Sequence, residues 1–148
     1  MSREDFIYAA GIVDSDGNIC ISKCNRKRMV SPSYSTHVHV TNTNPKMINY
    51  FKETFGGCDS HWDDGNSKHK PMLGWHLYGE ASRQFLLQLL PFLRIKTEQA
   101  RLSILFQEEM NKNGTNGKSP PESLAMRDKL YKECASLNKR GRTSCHTA

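Results

Sequence analysis

The sequence predicts an α+β domain in which helices cover one face of a four-stranded antiparallel sheet. Four short segments alternate apolar and polar residues with the period of a β-strand, and the segments around them carry apolar residues at helical spacing. Their order is helix, strand, strand, helix, strand, strand and then three helices. The length of 148 residues suits one domain spanning residues 1–148, since such a chain can bury its own core.

The first predicted helix follows Ser2 and ends in the turn-forming residues 14–17. Ser2 and Asp5 have the spacing of a capping box, with Asp in place of the usual Glu. Apolar residues then recur at helical spacing from Phe6 to Val13.

Two strands are predicted next. Residues 18–23 alternate Ile with polar residues, and residues 36–41 alternate Val with His and Thr. Each strand therefore has one apolar face, which we expect to lie under the helices, and one polar face.

A second helix and two further strands follow. Asn44-Pro45 begins the helix, with Asn as the cap and Pro in the first turn, and Gly56-Gly57 ends it. Residues 58–63 and 72–78 are the predicted strands, separated by the turn signal Asp64-Gly65.

The third and fourth helices are predicted over residues 81–90 and about 94–111. Pro91 ends the first of them. The fourth carries an apolar face that includes Leu102 and Phe106.

The last predicted helix covers about residues 120–138. Ser119 and Glu122 have the spacing of a capping box, with Pro at the first helical position. A flexible linker at about residues 112–118 precedes this helix, and a basic tail, residues 139–148, follows it.

Charge and composition indicate a nucleic-acid partner and exclude a membrane protein. The formal net charge is +6, and residues 17–52 contain six basic residues and no acid. Such a stretch favours a polyanion as partner, nucleic acid before a membrane. Apolar runs are too short to span a bilayer. The start of the chain does not read as a secretory signal, and five cysteines indicate reduced thiols, so we expect an intracellular protein.

The most informative segment is residues 9–17, Ala-Ala-Gly-Ile-Val-Asp-Ser-Asp-Gly. Glycine inside a helix costs about 1 kcal/mol relative to Ala, so Gly11 needs a packing reason. The segment resembles the signature of the LAGLIDADG homing endonucleases, with Ala9 in place of the first Leu and Ser15 in place of the second Ala. The spacing of five signature residues is intact: Ala10, Gly11, Asp14, Asp16 and Gly17.

The resemblance extends over almost the whole chain. The order of helices and strands is that of the family, and residues 91–100 and 137–139 are similar to segments of its small members. One copy of the motif in a chain of this length matches the homodimeric branch. The resemblance implies an αββαββα core, a four-stranded DNA-binding sheet and extra C-terminal helices.

The resemblance also implies the roles of individual residues. Asp16 would bind the divalent metal, Mg²⁺ with Mn²⁺ as a substitute, and the carbonyl of Ser15 would add a ligand. Asn42, where many members have Gln, would orient the attacking water, and Lys96 would lie near the scissile phosphate. Ala10, Gly11 and Asp14 would lie at the dimer interface, with Asp14 capping backbone amides there. Without the resemblance, Asp14 and Asp16 could simply end a helix, and Lys96 could be a surface lysine.

Strand alternation and charge select the residues expected to contact DNA in the major groove. The facing of the strand at residues 58–63 stays open, so that His61 could point either way. Trp62 and Trp75 are interpreted as core aromatics. Lys46 is also considered for a role near the scissile phosphate. The predicted DNA-binding residues are Asn18, Cys20, Ser22, Lys23, Cys24, Arg26, Arg28, Ser33, Ser35, His37, His39, Lys46, His61, Lys68, Lys70, His76, Lys139 and Arg140.

One other constellation on the polar strand faces is Cys20, Cys24, His37 and His39, since two Cys and two His can bind zinc. Alternate strand residues are about 6.6 Å apart, which argues against tetrahedral closure. DNA-facing side chains are therefore the preferred interpretation of these four residues.

The sequence thus predicts a homodimeric, Mg²⁺-dependent endonuclease that cuts double-stranded DNA at a long pseudo-palindromic site. The alternatives are a maturase of the same fold that binds an intron RNA, a non-catalytic DNA-binding protein of that fold, and a zinc-stapled nucleic-acid-binding module.

Overall fold

The computed structural model describes residues 1–25, 27, 31–114 and 119–139. Arg26, Arg28 and Arg140 lie outside these residues, as do most of the predicted linker and all but the first residue of the predicted tail. The expected α+β architecture is confirmed within the described part of the chain. The helices and strands are α1 Arg3–Asp16, β1 Gly17–Cys24, β2 Ser33–Asn42, α2 Pro45–Phe55, β3 Cys58–Trp62, β4 Met72–Tyr78, α3 Gly79–Leu89, α4 Thr97–Asn113 and α5 Pro121–Leu137.

The four strands form one antiparallel sheet in the order β1-β2-β4-β3. In the register of β1 and β2, Cys20 lies opposite His37, and in that of β2 and β4, His39 lies opposite His76. Side chains that are paired across strands point to the same face. The register therefore places polar residues from three strands on one face of the sheet.

The main core lies between the other face of the sheet and the helices. Ile19, Val38 and Trp75 supply its sheet side, and Phe51 of α2 and Leu86 of α3 pack onto them, all five fully buried. Burying the apolar face of each strand contributes about 25 cal/mol per Å². This burial fixes which face of the sheet is left for contacts with other molecules.

A second apolar cluster joins α4 and α5 to the end of the sheet near β1. Phe106 of α4 and Leu130 and Cys134 of α5 pack against Ile21 and Tyr34. The side-chain NH₂ group of Asn138, just past α5, donates to the carbonyl of Ile19 at 2.7 Å. The C-terminal helix is therefore part of the domain.

The predicted ends of α2, with Asn44 as the cap and Gly56 at the end, are confirmed, whereas the predicted starts of α4 and α5 differ from the structure. The capping box of α1 is present, since the Ser2 hydroxyl accepts from the Asp5 amide and the Asp5 carboxylate accepts from the Ser2 amide. The predicted box at α5 is wrong: Pro120 is the cap, and the Ser119 hydroxyl accepts from Arg127 instead. Helix α4 begins at Thr97, three residues later than expected, for a reason that lies in the site described below. None of the described helices is long and apolar enough to cross a membrane.

Candidate cleavage site and nucleic-acid interface

Asp16 is the last residue of α1 and projects where the chain turns into β1. Gly17 makes this turn, and a Cβ there would lie 2.7 Å from Cα and 2.8 Å from the carbonyl oxygen of Val13. Backbone atoms cannot yield to such a contact, so the turn requires glycine. The motif glycine thereby sets the direction in which the neighbouring carboxylate of Asp16 points.

Asn42, the last residue of β2, lies beside Asp16. The backbone amide of Asn44 donates to Asn42 Oδ1 at 2.8 Å, which leaves the Asn42 NH₂ group to donate to Asp16 Oδ2 at 3.3 Å. The Asn44 amide thus fixes the orientation of the Asn42 side chain. Two residues separated by 26 positions in the sequence meet at one end of the sheet.

Lys96 reaches the same place from the start of α4. Its ammonium group donates to the carbonyl oxygens of Val13 at 2.9 Å and Asp14 at 2.6 Å. These carbonyls belong to the last turn of α1, where the helix dipole favours a cation. Burial lowers the pKa of Lys96, and the charges of Asp14 and Asp16 partly oppose that effect. Asp16, Asn42 and Lys96, the three residues expected to be catalytic, are thus brought together.

Asp14 caps backbone amides, as predicted, but it does so within this chain. Its carboxylate accepts from the amides of Arg94, Ile95 and Lys96 at 2.8, 3.3 and 3.0 Å. These bonds hold the chain in a non-helical conformation before α4, which explains the late start of that helix. The side chain of Asp14 is therefore committed to the start of α4, and its place at a dimer interface stays a prediction.

The residues at the end of α1 fit a hard divalent cation. The Asp16 carboxylate is exposed, and the carbonyl of Ser15 belongs to the last turn of the helix, whose carbonyls have no intrahelical donors. The Ser15 hydroxyl donates back to the carbonyl of Ile12 at 3.1 Å, so that only its backbone oxygen can be offered. Carboxylate and carbonyl oxygens are the ligands that Mg²⁺ prefers.

The sheet face opposite the helices, here called the outward face, carries nine of the fifteen predicted DNA contacts that lie within the described residues. The strand alternation expected for β1, β2 and β4 is confirmed, because Ile19, Val38 and Trp75 are buried on the helix side. The register places these predicted residues on the outward face: Asn18, Cys20, Ser22, Cys24, Ser33, Ser35, His37, His39 and His76.

Lys23 does not belong to the outward face. It lies opposite the buried Tyr34, and its ammonium group binds the Asp128 carboxylate of α5 at 2.6 Å. The ammonium group also lies over the rings of Tyr34 and Tyr131. Its assignment to DNA binding is therefore corrected, because Lys23 links β1 to α5 through its ion pair with Asp128.

The register of β3 settles the strand whose facing the sequence left open. His61 lies opposite Leu73 on the helix side, so its assignment to DNA contact is corrected. Ser60 and Trp62 point to the outward face, and Trp62 is 65% exposed, which makes the core interpretation of this residue wrong. The sequence could not show which side chains of β3 point outward, because both faces of this strand are exposed. Only its register with β4 decides their direction.

The remaining predicted basic residues that the structure describes lie outside the strands of the sheet. Lys46 is exposed at the start of α2 and borders a groove with Glu4, Asp5 and Tyr8, on the helix side. Lys68 and Lys70 are exposed in the loop between β3 and β4, and Lys139 is exposed just after α5. Their contacts with DNA stay predictions.

Two histidines of the outward face, His37 and His76, have lowered pKa values and favour the neutral form at pH 7. Burial, together with the nearby His39 and His76, lowers the pKa of His37 to about 4, and burial also lowers the pKa of His76. Neutral imidazoles add no charge for phosphate binding. They offer one donor and one acceptor each, which suits contacts to base edges.

The exposed face of α1 differs from the one predicted. Ala10 is fully buried in the core of this chain, so its assignment to a dimer interface is corrected. Gly11 is exposed, and a Cβ there would meet no atom of the described residues within 4 Å beyond its own helix backbone and chain neighbours. Ile7 and Tyr8 are 44% and 54% exposed on the same face. The packing reason for Gly11 is therefore not found inside the described chain.

No protein-family model and no curated protein matches the sequence. Solved structures do match. The homing endonuclease I-CvuI, in complex with its target, is 21% identical with a TM-score of 0.77, covering 95% of this chain and 85% of that chain. The archaeal intron-encoded homing endonuclease I-Vdi141I, complexed with DNA, is 16% identical with a TM-score of 0.75, covering 95% and 88%.

A third structure, the group I intron-encoded homing endonuclease I-CeuI complexed with DNA, is 16% identical with a TM-score of 0.69, covering 97% of this chain and 70% of that chain. Likenesses of this extent include every helix and strand that builds the site. The chain therefore has the fold of the LAGLIDADG homing endonucleases, as its motif at residues 9–17 predicted.

Proposed function

We propose that this protein is a site-specific endonuclease that hydrolyses both strands of a DNA duplex as a homodimer with a divalent metal ion. The observation that carries the proposal is the convergence of Asp16, Asn42 and Lys96 at the end of the sheet where β1 begins and β2 ends. The three come from distant segments, and their side chains have the chemistry that phosphodiester hydrolysis needs.

Each residue of this site has a distinct task in the proposed reaction. Asp16 supplies the negative charge that holds Mg²⁺, which when bound polarises the phosphate and activates water. The Asn42 amide, 3.3 Å from that carboxylate, orients a water molecule at the site. An ammonium group has three donors, and two of those of Lys96 bind α1 carbonyls, so that a third can stabilise charge on a phosphate oxygen.

The exposed face of α1 supports the homodimer. Glycine lowers the helix propensity at position 11, yet no other element of the described residues packs closely enough there to require it. Ile7 and Tyr8 are exposed on the same face of α1. A second copy of α1 packed across Gly11 would bury these side chains and bring two Asp16 residues close together. A closed two-fold dimer then supplies one site for each DNA strand and recognises a pseudo-palindromic sequence.

The outward face supports recognition of a DNA duplex. Its side chains include small hydroxyls, thiols and imidazoles, with Trp62 at the sheet edge. Such groups bind base edges by hydrogen bonds and apolar contacts rather than by charge. The affinity for phosphate would come from basic residues around the sheet, such as the exposed Lys27.

The test is cleavage of a randomised duplex library with Mg²⁺, followed by Asp16→Asn on the selected site. Asp16→Asn should lower cleavage by several orders of magnitude and leave binding in Ca²⁺ within about threefold of wild type, because it removes a metal-binding charge and no recognition contact. Glu133→Gln, an exposed carboxylate of α5, is the control and should cut normally.

The alternatives give different results in the same experiment. If the wild type selects a duplex sequence but leaves it uncut in Mg²⁺ and Mn²⁺, the protein is a DNA-binding protein of this fold. If it binds and promotes splicing of a structured intron RNA instead, it is a maturase. Cleavage by Asp16→Asn at the normal rate would contradict the assignment of the metal site.

A further inference from the structure

A cluster of soft and borderline ligands that does not include Asp16 lies on the outward face. We propose that Cys20, His37 and His39 form a second metal site, which takes a divalent transition-metal ion of the zinc class. One possible ligand atom of each residue lies within 4.8 Å of the others. This inference goes beyond the proposed endonuclease, whose metal requires only oxygen ligands.

The sheet register produces the cluster. Cys20 and His37 are paired across β1 and β2, and the Cys20 Sγ to His37 Nδ1 distance is 3.9 Å. His39 follows on the same face, with its ring centroid 4.8 Å from that of His37. Tetrahedral zinc, with bonds of about 2.0–2.3 Å, places its ligand atoms roughly 3.3–3.7 Å apart. Small side-chain rotations close the remaining gap.

The short distance between Cys20 and His37 runs between strands, so the 6.6 Å spacing of alternate residues along one strand does not keep these two ligands apart. Cys24 lies opposite Ser33 at the far end of the pairing and does not belong to the cluster. Cys24 thus becomes a matched control for Cys20.

A hydrogen-bond chain behind His37 orients its ring. His37 Nε2 lies 3.0 Å from His76 Nδ1, and His76 Nε2 lies 2.6 Å from Ser60 Oγ. When His37 donates through Nε2, its Nδ1 lone pair points toward Cys20. Metal-binding histidines characteristically use their second nitrogen for such a bond, which fixes the tautomer and the ring orientation.

Two neighbouring residues support the hydrogen-bonded series His37–His76–Ser60. The Tyr78 ring stacks on the His37 ring with centroids 4.3 Å apart and planes within 8°. Gly74 leaves the space that Ser60 and His76 fill, since a Cβ there would lie 2.5 Å from Ser60 Oγ and 2.8 Å from His76 Nε2. The supporting residues therefore come from both β3 and β4.

The donor set determines the class of metal. Two imidazole nitrogens and one sulfur suit Zn²⁺ or Co²⁺ and disfavour Mg²⁺, which prefers oxygen. On binding, the Cys20 S–H bond breaks, the metal–sulfur bond forms and the proton passes to solvent. Three protein ligands leave a fourth tetrahedral position for water.

The position of the site has a consequence that rests on the proposed function. The same three side chains lie on the face proposed to contact DNA bases, so that a bound ion would obstruct that contact. Zinc at the concentration that fills the site should weaken binding to the selected duplex. Metal binding itself is measured without DNA, so failure of one proposal is distinguishable from failure of the other.

The test is titration of the purified, reduced chain with Co²⁺, followed by displacement with Zn²⁺. We expect one equivalent to give visible bands of tetrahedral cobalt and a sulfur-to-cobalt charge-transfer band, both removed by zinc. Cys20→Ser should abolish the charge-transfer band, and His39→Gln should weaken binding at least tenfold. Ser60→Ala should weaken it about tenfold, because it removes the end of the chain behind His37.

Two controls and a folding check make the result decisive. Cys24→Ser, on the same strand and face, and Asp16→Asn should both keep the charge-transfer band and the wild-type affinity. Far-ultraviolet circular dichroism confirms that each variant is folded, and zinc should raise the melting temperature of the wild type but not of Cys20→Ser. A charge-transfer band that survives Cys20→Ser, or the absence of binding by the wild type at micromolar cobalt, overturns the proposal.

Discussion

Asp14 accepts hydrogen bonds from both the backbone amide and the side-chain ammonium group of Lys96. The Asp14 carboxylate accepts from the backbone amide of Lys96 at 3.0 Å, and the Asp14 carbonyl accepts from its ammonium group at 2.6 Å. The first bond fixes where the chain enters α4, and the second directs the side chain to the end of α1. The position of Lys96 beside Asp16 therefore depends on Asp14, whose carboxylate is occupied by backbone amides.

Replacing Asp14 with Asn should lower stability and also impair cleavage. Asn has one acceptor oxygen and one NH₂ donor, so at least one of the three backbone amides loses its acceptor and the remaining bonds lose their charge; bonds to charged groups contribute about 1.5–3 kcal/mol each. We expect a loss of about 1–3 kcal/mol in the free energy of unfolding, measured with urea. Asp16→Asn, two residues later, should change stability by less than about 0.5 kcal/mol. Equal unfolding curves for the two variants would contradict the capping role of Asp14.

Gly11→Leu should prevent dimerisation without impairing the folding of the monomer. A Cβ at this position has open space beyond its own helix, and Leu has the higher helix propensity, so the monomer should be as stable as wild type or about 1 kcal/mol more stable. Leu would nevertheless hold two α1 helices apart. Sedimentation equilibrium should show a folded monomer without double-strand cleavage, and Lys129→Leu on exposed α5 should remain a dimer. A dimeric, active Gly11→Leu would place the interface elsewhere.

Two lysines near the β1–β2 connection should differ in the salt dependence of DNA binding. Lys27 is exposed, whereas Lys23 binds Asp128 on the helix side. Each phosphate contact contributes about one unit to the slope of log K against log salt concentration. Lys27→Met should lower the slope by about one unit on a mixed-sequence duplex, and Lys23→Met should leave it unchanged. The opposite pattern would restore Lys23 as a phosphate ligand.

The bond between Lys23 and Asp128 should make stability depend on pH in acid. Hydrogen bonds from Lys132 and then Lys23 lower the pKa of Asp128 from 3.8 to about 2. Because the folded pKa lies below the unfolded one, this contribution is complete above pH 3.8 and is lost as the pH falls toward 2. Between pH 5 and pH 2, the unfolding free energy should fall more steeply for wild type than for Asp128→Asn. Equal slopes would show that the bond does not stabilise the fold, and Glu133→Gln should match wild type throughout.

Strand alternation predicted much of this molecule because it depends on local sequence. The Ile and Val positions of β1 and β2 alternate with polar residues, and a strand with one apolar face must bury that face. The outward positions of Cys20, His37 and His39 follow from this rule. The same rule fails for β3, whose five residues are all exposed, so that the facing of His61 and Trp62 had no local signal.

The motif at residues 9–17 determined the end of α1 and the position of Asp16, since helix spacing and the tight turn at Gly17 are local properties. Only the tertiary structure decided which distant partner each residue meets. In the tertiary structure Lys23 pairs with Asp128, the Asp14 carboxylate caps amides before α4, and Cys20 Sγ lies 3.9 Å from His37 Nδ1. Such pairings depend on strand register and helix packing, which set distances between residues far apart in the sequence, and alternation along one strand carries no information about its neighbour.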